Sequence, residues 1–226
     1  MPVDEEIKRR AALHTALGEP VRLAIVEELV ESDRAPFALS ARFDLPGNLL
    51  AHHLDVLERV GLIERTVSAG DRRRRYVRLR HQALSDIAVG GPRRHGRALF
   101  VCTHNSARSQ LAAALWRQRT GDDATSAGTH PADKVHPGAV AAARRAGLDL
   151  GDAAPRSLGD GDLDADVIVT VCDRAHEELA ATADWLHWSI PDPVEAGGRR
   201  DFDRALADLD ARITTIAGDD PDATAL

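Results

Sequence analysis

A cysteine at position 102 is followed six residues later by an arginine, in the run CTHNSARSQ. Five intervening residues are enough for a loop that curls back and aims its backbone N–H groups inward as an anion-binding nest, and a helix starting at its end adds the positive end of its dipole. A thiol in that field loses its proton readily, because the donors that would hold an oxyanion also stabilise the thiolate. Arg108 brings a planar fork matched to two oxygens of a tetrahedral anion. The expected oxyanion cradle is Thr103, His104, Asn105, Ser106, Ala107, Arg108 and Ser109. Within it, Asn105 and Ser106 suit the turn, and Ser109 suits a hydrogen bond to the thiolate when it is expelled as a leaving group. The bland alternative is a Cys102 that packs and an Arg108 that caps.

In-line attack on a tetrahedral anion gains from an acid at the leaving oxygen. Asp192 stands between two prolines in HWSIPDPVEA, a stiff loop that could hold its carboxylate over the nest. The second of the two cysteines, Cys172, ends the apolar run VIVTVC. It either attacks a Cys102 adduct and releases product by forming a disulfide, or fills space at a strand end as a small hydrophobe. Two cysteines cannot build a disulfide framework. No metal site is expected: the adjacent His52 and His53 read as helix-surface residues.

These side chains need elements to carry them. RALFV reads as a buried strand running into the Cys102 loop, and SQLAAALWRQRT as the helix that follows. ATSAGT and ADVIVTV are further strands, HPGAVAAARRAG and FDRALADLDARITTIA further helices. Alternation of this kind implies an α/β fold with an open parallel sheet, whose ligands bind at the carboxyl edge of the strands. Earlier in the chain the apolar spacing is helical, through Leu13, Leu17, Val21, Ile25 and Leu29 and again through Leu49, Leu50, Leu54, Leu57 and Val60. LIERTVSAGDRRRRYVRL then reads as a hairpin with an arginine-rich tip. Helices followed by such a hairpin make a mainly α winged helix-turn-helix. The expected organisation is a winged-helix domain at 1–89, a linker at 90–96 (GGPRRHG), an α/β domain at 97–218 and a disordered tail at 219–226.

The net charge of −7 falls entirely after residue 90, since acidic and basic residues balance before it. A neutral domain can still bind nucleic acid where its arginines cluster, as they do at Arg72, Arg73, Arg74 and Arg75. Four like charges at a hairpin tip repel one another unless something anionic relieves them. No run approaches the ~18 apolar residues of a membrane span, and MPVDEEIKRR has no apolar core of a signal peptide, so a cytoplasmic address is expected.

Together CTHNSARSQ, SAGTH, the strand ending at Cys172 and WSIPDP resemble the low-molecular-weight protein tyrosine phosphatase superfamily, and more closely its arsenate reductases, over residues 97–217. The resemblance implies a four-stranded parallel sheet and thiol-dependent reduction of arsenate to arsenite, with phosphatase side activity. It implies Cys102 as nucleophile, Arg108 and the loop amides as cradle and Asp192 as acid. His104 and Ala107 depart from the phosphatase loop, and Val194 stands where the phosphatases usually carry a tyrosine. Thioredoxin-coupled reductases of the family use a third cysteine shortly after the second; CDRAHEELAAT has none. The implied reductant is then external: mycothiol, glutathione or a thioredoxin/glutaredoxin-type protein. A phosphatase, and a regulator whose C-terminal domain senses an oxyanion with little turnover, remain alternatives.

ALGEPVRLAIVEELV with LPGNLLAHHLDVLERVGLIERTVSAGDRRRRYVRL resembles ArsR-type winged-helix repressors over residues 8–80. That implies DNA binding as a homodimer, regulating transcription in arsenic resistance. The helix from Pro46 to Val60 would enter the major groove with Asn48, Leu49, His52 and His53 near bases or phosphates, and Arg72, Arg73, Arg74 and Arg75 would contact the backbone or minor groove. Arsenic-sensing members carry a cysteine pair where Ala35 to Ser40 has none.

Overall fold

Proline opens two of the first four helices at a position where its missing N–H costs nothing. In the computed structural model, which describes residues 4–83, 94–180 and 184–217, these helices are α1 (Glu5–Leu17), α2 (Pro20–Glu31), α3 (Pro36–Arg42) and α4 (Gly47–Arg59). A two-stranded antiparallel hairpin follows, β1 (Ile63–Val67) and β2 (Arg75–Leu79), with Val67 opposite Arg75. Leu13, Ile25, Leu29, Leu39, Leu57 and Val77 are fully buried among them. The α2–α3 connection is stitched to the hairpin by Arg34, whose N–H donates to the Val77 carbonyl at 3.0 Å and whose carbonyl accepts from Val77 at 2.8 Å.

The chain divides into two compact units, residues 1–68 with 72–91, and residues 69–71 with 92–226. Most of the expected linker at 90–96 and all of the expected tail at 219–226 lie outside the described residues.

The second unit is α/β. Its elements are β3 (Ala98–Cys102), α5 (Arg108–Thr120), β4 (Ala124–Gly128), α6 (Pro137–Arg145), β5 (Val167–Thr170), α7 (Asp173–Glu178), β6 (Leu186–His187), α8 (Pro193–Ala196) and α9 (Arg199–Ala217). The four strands are parallel in the order β4-β3-β5-β6. Every residue of β3 is buried, which is why ALFVC reads as a continuous apolar run rather than an alternating one. Phe100 packs against Trp116 of α5 and Trp188, each with ring centroids 6.0 Å apart.

Strand order locates the site. From β3 the chain crosses to one neighbour, β4, and later returns on the other side as β5, so the connections leaving β3 and β5 diverge at their carboxyl ends. Such a switch point opens a crevice in α/β sheets. Cys102 closes β3 and Cys172 lies two residues beyond β5, so both thiols flank it. Contrary to the reading of VIVTVC as one strand, Cys172 does not end it. β5 stops at Thr170, and Cys172 is the N-cap of α7, a short helix that DRAHEE does not announce.

Candidate active site

The Cys102–Arg108 loop owes its shape to a second segment. Backbone N–H groups of Thr129, His130, Ala132 and His136 donate to the carbonyls of Cys102, Thr103, His104 and Ser106, at 3.2, 2.8, 3.0 and 2.8 Å. In a trans peptide the C=O and the following N–H point opposite ways. Turning these four carbonyls toward 129–136 therefore directs the N–H groups of Thr103, His104, Asn105 and Ala107 to the other side. The Asn105 N–H points at Cys102 Sγ, 3.1 Å away. This strap of backbone donors has no side-chain signature, so sequence reasoning missed it.

Asn105 holds φ at +47°, a left-handed conformation that asparagine tolerates better than most residues. Its side chain is saturated. Nδ2 donates to Ser109 Oγ at 2.8 Å and Ser126 Oγ at 2.9 Å, while Oδ1 accepts from the Arg156 N–H at 3.0 Å and from Gln110. Ser109 Oγ lies 3.1 Å from Cys102 Sγ, the contact its position in the motif suggested. Gly128 ends β4 directly beside the loop. A Cβ there would lie 2.8 Å from the Thr103 carbonyl oxygen and 3.0 Å from Asn105 Cβ, so glycine is a packing requirement of the SAGTH run.

Arg108, at the first position of α5, is buried with its guanidinium directed across the crevice. Nη1 donates to the Ile190 carbonyl at 2.9 Å and Nη2 to Asp192 Oδ2 at 2.5 Å. Burial works against its charge, yet the sulfurs of Cys172 and Cys102 and the carboxylates of Asp192 and Asp173 outweigh it, holding its pKa above the ordinary arginine value. Asp192 caps α8, accepting from the Val194 N–H at 2.9 Å through its other oxygen. Cap and ion pair together hold the carboxylate in the Pro191–Pro193 turn.

Cys172 is buried, and its sulfur lies 3.4 Å from Thr103 Oγ1. Burial pushes its thiol pKa up, the nearby Cys102 adds to that, and Arg108 pulls the other way. Beside it Asp173 is also buried, with His187 Nε2 3.2 Å from Oδ1. Burial opposes ionisation there too, but hydrogen bonds led by that of His187 keep the carboxyl below its usual range. Neither Asp173 nor His187 was singled out from sequence, since an isolated acid and a histidine before Trp188 carry no spacing signal.

Cys102, Asn105, Arg108, Ser109, Cys172 and Asp192 therefore meet at one crevice. His104 contributes its backbone only: the ring is exposed and its Nδ1 lies 3.0 Å from the His130 carbonyl. The site offers a thiol, a forked cation, inward N–H donors, a carboxyl group and a second thiol, a set able to bind a tetrahedral oxyanion and attack it.

In the first unit Asn48, Leu49 and His52 are exposed on α4, and Arg72, Arg73, Arg74 and Arg75 are exposed on the hairpin. His53 departs from expectation. It is 7% exposed, on the stripe Leu50, His53, Leu54, Leu57 that faces the core, and its Nδ1 lies 3.4 Å from Glu19 Oε2. Spacing at i, i+3, i+4, i+7 dictates this face, and it removes His53 from any DNA-facing set.

A family profile described as "Low molecular weight phosphotyrosine protein phosphatase" matches residues 97–220. The chain belongs to that family. A second profile, "Helix-turn-helix domain", matches residues 17–66. Among curated proteins, the arsenate reductase of Halalkalibacterium halodurans is 34% identical over 129 residues, covering 52% of this chain and 92% of its own length. That of Bacillus subtilis is 32% identical over 130 residues, with the same coverages. Among solved structures, the low-molecular-weight protein tyrosine phosphatase of T. tengcongensis aligns at 22% identity with a TM-score of 0.49, covering 54% of this chain and 97% of that one. Among the described residues no helix is long and apolar enough to cross a membrane.

Proposed function

We propose that the second unit reduces arsenate to arsenite with electrons from thiols, and that the first binds DNA. The observation that carries the reading is the pair of thiols at one crevice: Cys102 ends β3, Cys172 lies two residues beyond the neighbouring β5, and Cys172 Sγ is 3.4 Å from Oγ1 of Thr103, the residue after Cys102. A phosphate monoesterase needs one such sulfur; a reductase whose arsenic gains two electrons needs a second thiol, which Cys172 supplies in this reading and an external thiol resolving the arseno-adduct directly would supply if Cys172 only packs. The curated relatives named arsenate reductase support it at 32–34% identity over nearly their whole length.

In this mechanism the loop N–H groups and Arg108 hold arsenate. Cys102 thiolate forms an S–As bond as one arsenic oxygen leaves as water, protonated by Asp192. Cys172 then attacks Cys102 sulfur, forming an S–S bond. The S–As electron pair stays on arsenic, which leaves as arsenite while two thiols become one disulfide. An external thiol, whether mycothiol, glutathione or a thioredoxin/glutaredoxin-type protein, reduces that disulfide, since the chain holds no third cysteine. No bound cofactor is required.

The family's phosphatase chemistry is the second reading, favoured by the profile match itself. Against it, Val194 offers no aromatic ring after the Asp192–Pro193 pair, and Phe100, Trp116, Trp188 and Phe202 are all buried. The first unit is read as an ArsR-type homodimer regulating arsenic resistance, with Asn48, Leu49 and His52 toward bases and Arg72 to Arg75 toward phosphates. Measuring arsenite formation with each thiol system, beside aryl phosphate hydrolysis, tests the assignment. The expected result is arsenate turnover that vanishes in Cys102→Ser; aryl phosphate turnover far exceeding it, and indifferent to Cys172→Ser, would overturn it.

A further inference from the structure

We propose that Gln110 is a positioning residue for Cys102, acting by fixing the direction of a hydrogen-bond chain that ends on the sulfur. The inference rests on Cys102 as the reactive thiol of the proposed reductase. Gln110 is buried, and its Nε2 faces three oxygens: the Asn105 carbonyl at 3.1 Å, Asn105 Oδ1 at 3.2 Å and the Ala154 carbonyl at 3.3 Å. The two backbone carbonyls can only accept, so the atom facing all three is the NH₂ end, with two protons serving three acceptors.

The consequence runs along the chain. Gln110 Nε2 and the Arg156 N–H can both only donate, and both meet the same side-chain atom of Asn105, which must be its oxygen. The Asn105 NH₂ therefore faces Ser109 and Ser126, whose hydroxyl oxygens accept from it. Asn105 occupies one Oγ lone pair of Ser109 and leaves its proton free, 3.1 Å from Cys102 Sγ. A Cys102 thiolate can only accept, so in the reacting state Ser109 donates to the sulfur. The same Gln110 amide also grips the carbonyl of Asn105, whose left-handed backbone aims its own N–H at Sγ. Both donors to the sulfur are braced by this one buried carboxamide, which shares the Asn105 side-chain oxygen with the Arg156 N–H. It also ties the loop to Ala154, in a segment further anchored by the bidentate pair of Arg156 with Asp162.

The test uses the full chain in a Cys172→Ser background, where Cys102 is the sole thiol, and follows its alkylation by iodoacetamide at neutral pH. Gln110→Met keeps the length and removes the donors; Gln110→Glu keeps the shape but turns an acceptor toward the three oxygens. Each is expected to slow alkylation roughly tenfold, the scale of one lost hydrogen bond to a charged group. Because Gln110 acts through Ser109 as well as the Asn105 backbone, Ser109→Ala with Gln110→Met should be slower than Ser109→Ala by much less than the factor that Gln110→Met costs alone. Alkylation at the parent rate in both Gln110 variants, or fully multiplicative effects in the double variant, would overturn the proposal. Should Gln110→Met fail to fold, Gln110→Glu decides. A parent protein whose Cys102 reacts no faster than free cysteine would instead defeat the nucleophile reading, a result separable from failure of the Gln110 relay.

Discussion

Arg108 Nη2 donates to Asp192 Oδ2 at 2.5 Å, with the guanidinium buried and the carboxylate partly so. The group proposed to bind the oxyanion and the group proposed to protonate its leaving oxygen are thus one ion pair. An incoming anion competes with Asp192 for the fork. Asp192→Asn is therefore expected to bind phosphate and arsenate more tightly while turning over roughly 10²-fold more slowly, the scale of a lost general acid. Steady-state kinetics with phosphate as competitive inhibitor separate the two effects; a raised inhibition constant would contradict the competition.

Arg108→Lys keeps a positive charge but not the fork. It cannot serve the Ile190 carbonyl and two anion oxygens in one plane, so kcat/KM for arsenate should fall at least ~10²-fold. A loss of less than about threefold would mean that charge alone suffices.

Cys172 carries a pH prediction. Burial raises its pKa, so near neutrality it is chiefly thiol, and its thiolate fraction grows as pH climbs through and beyond the ordinary thiol range near 8.5. With external thiol saturating, turnover limited by Cys172 attack should rise with pH. Cys172→Ser should remove that rise along with most of the arsenite release. If Cys172 only packs, Cys172→Ala retains both rate and profile.

His52 and His53 are expected to part company. His53→Ala removes a buried ring set against Glu19 and should destabilise the first unit by about 1–3 kcal/mol, read as a lowered melting temperature. His52→Ala, on the exposed face of α4, should weaken DNA binding and leave melting unchanged.

Neutralising Arg72, Arg73, Arg74 and Arg75 one at a time should weaken binding to any DNA sequence alike. Each arginine that neutralises a phosphate should, when removed, lower the slope of log affinity against log salt by about 1. An unchanged slope would place the wing away from the phosphates.

Much of the site was legible because its chemistry is local. The spacing of Cys102 and Arg108, the strand before them and the helix after them occupy adjacent residues, so type and order alone imply an anion nest. Asp192 was legible through its flanking prolines, and helix α4 and the arginine tip through periodicity and turn chemistry. His53 was misplaced although the rule that buries it was available, since the same apolar spacing that defines α4 puts it on the inner stripe.

What the sequence determined by itself, then, is the inventory: a helix-turn-helix with a basic hairpin, a parallel α/β sheet, and a thiol–arginine loop at the end of one strand. Tertiary structure decided which groups meet. It set Cys172 at the crevice by strand order, paired Arg108 with Asp192 across 84 residues, strapped the loop carbonyls to 129–136, and drew Gln110, Asn105 and Arg156 into one polarised network. The physical reason is that hydrogen bonds and desolvation depend on distance in space, and a donor dozens of residues away leaves no mark on the spacing of its acceptor.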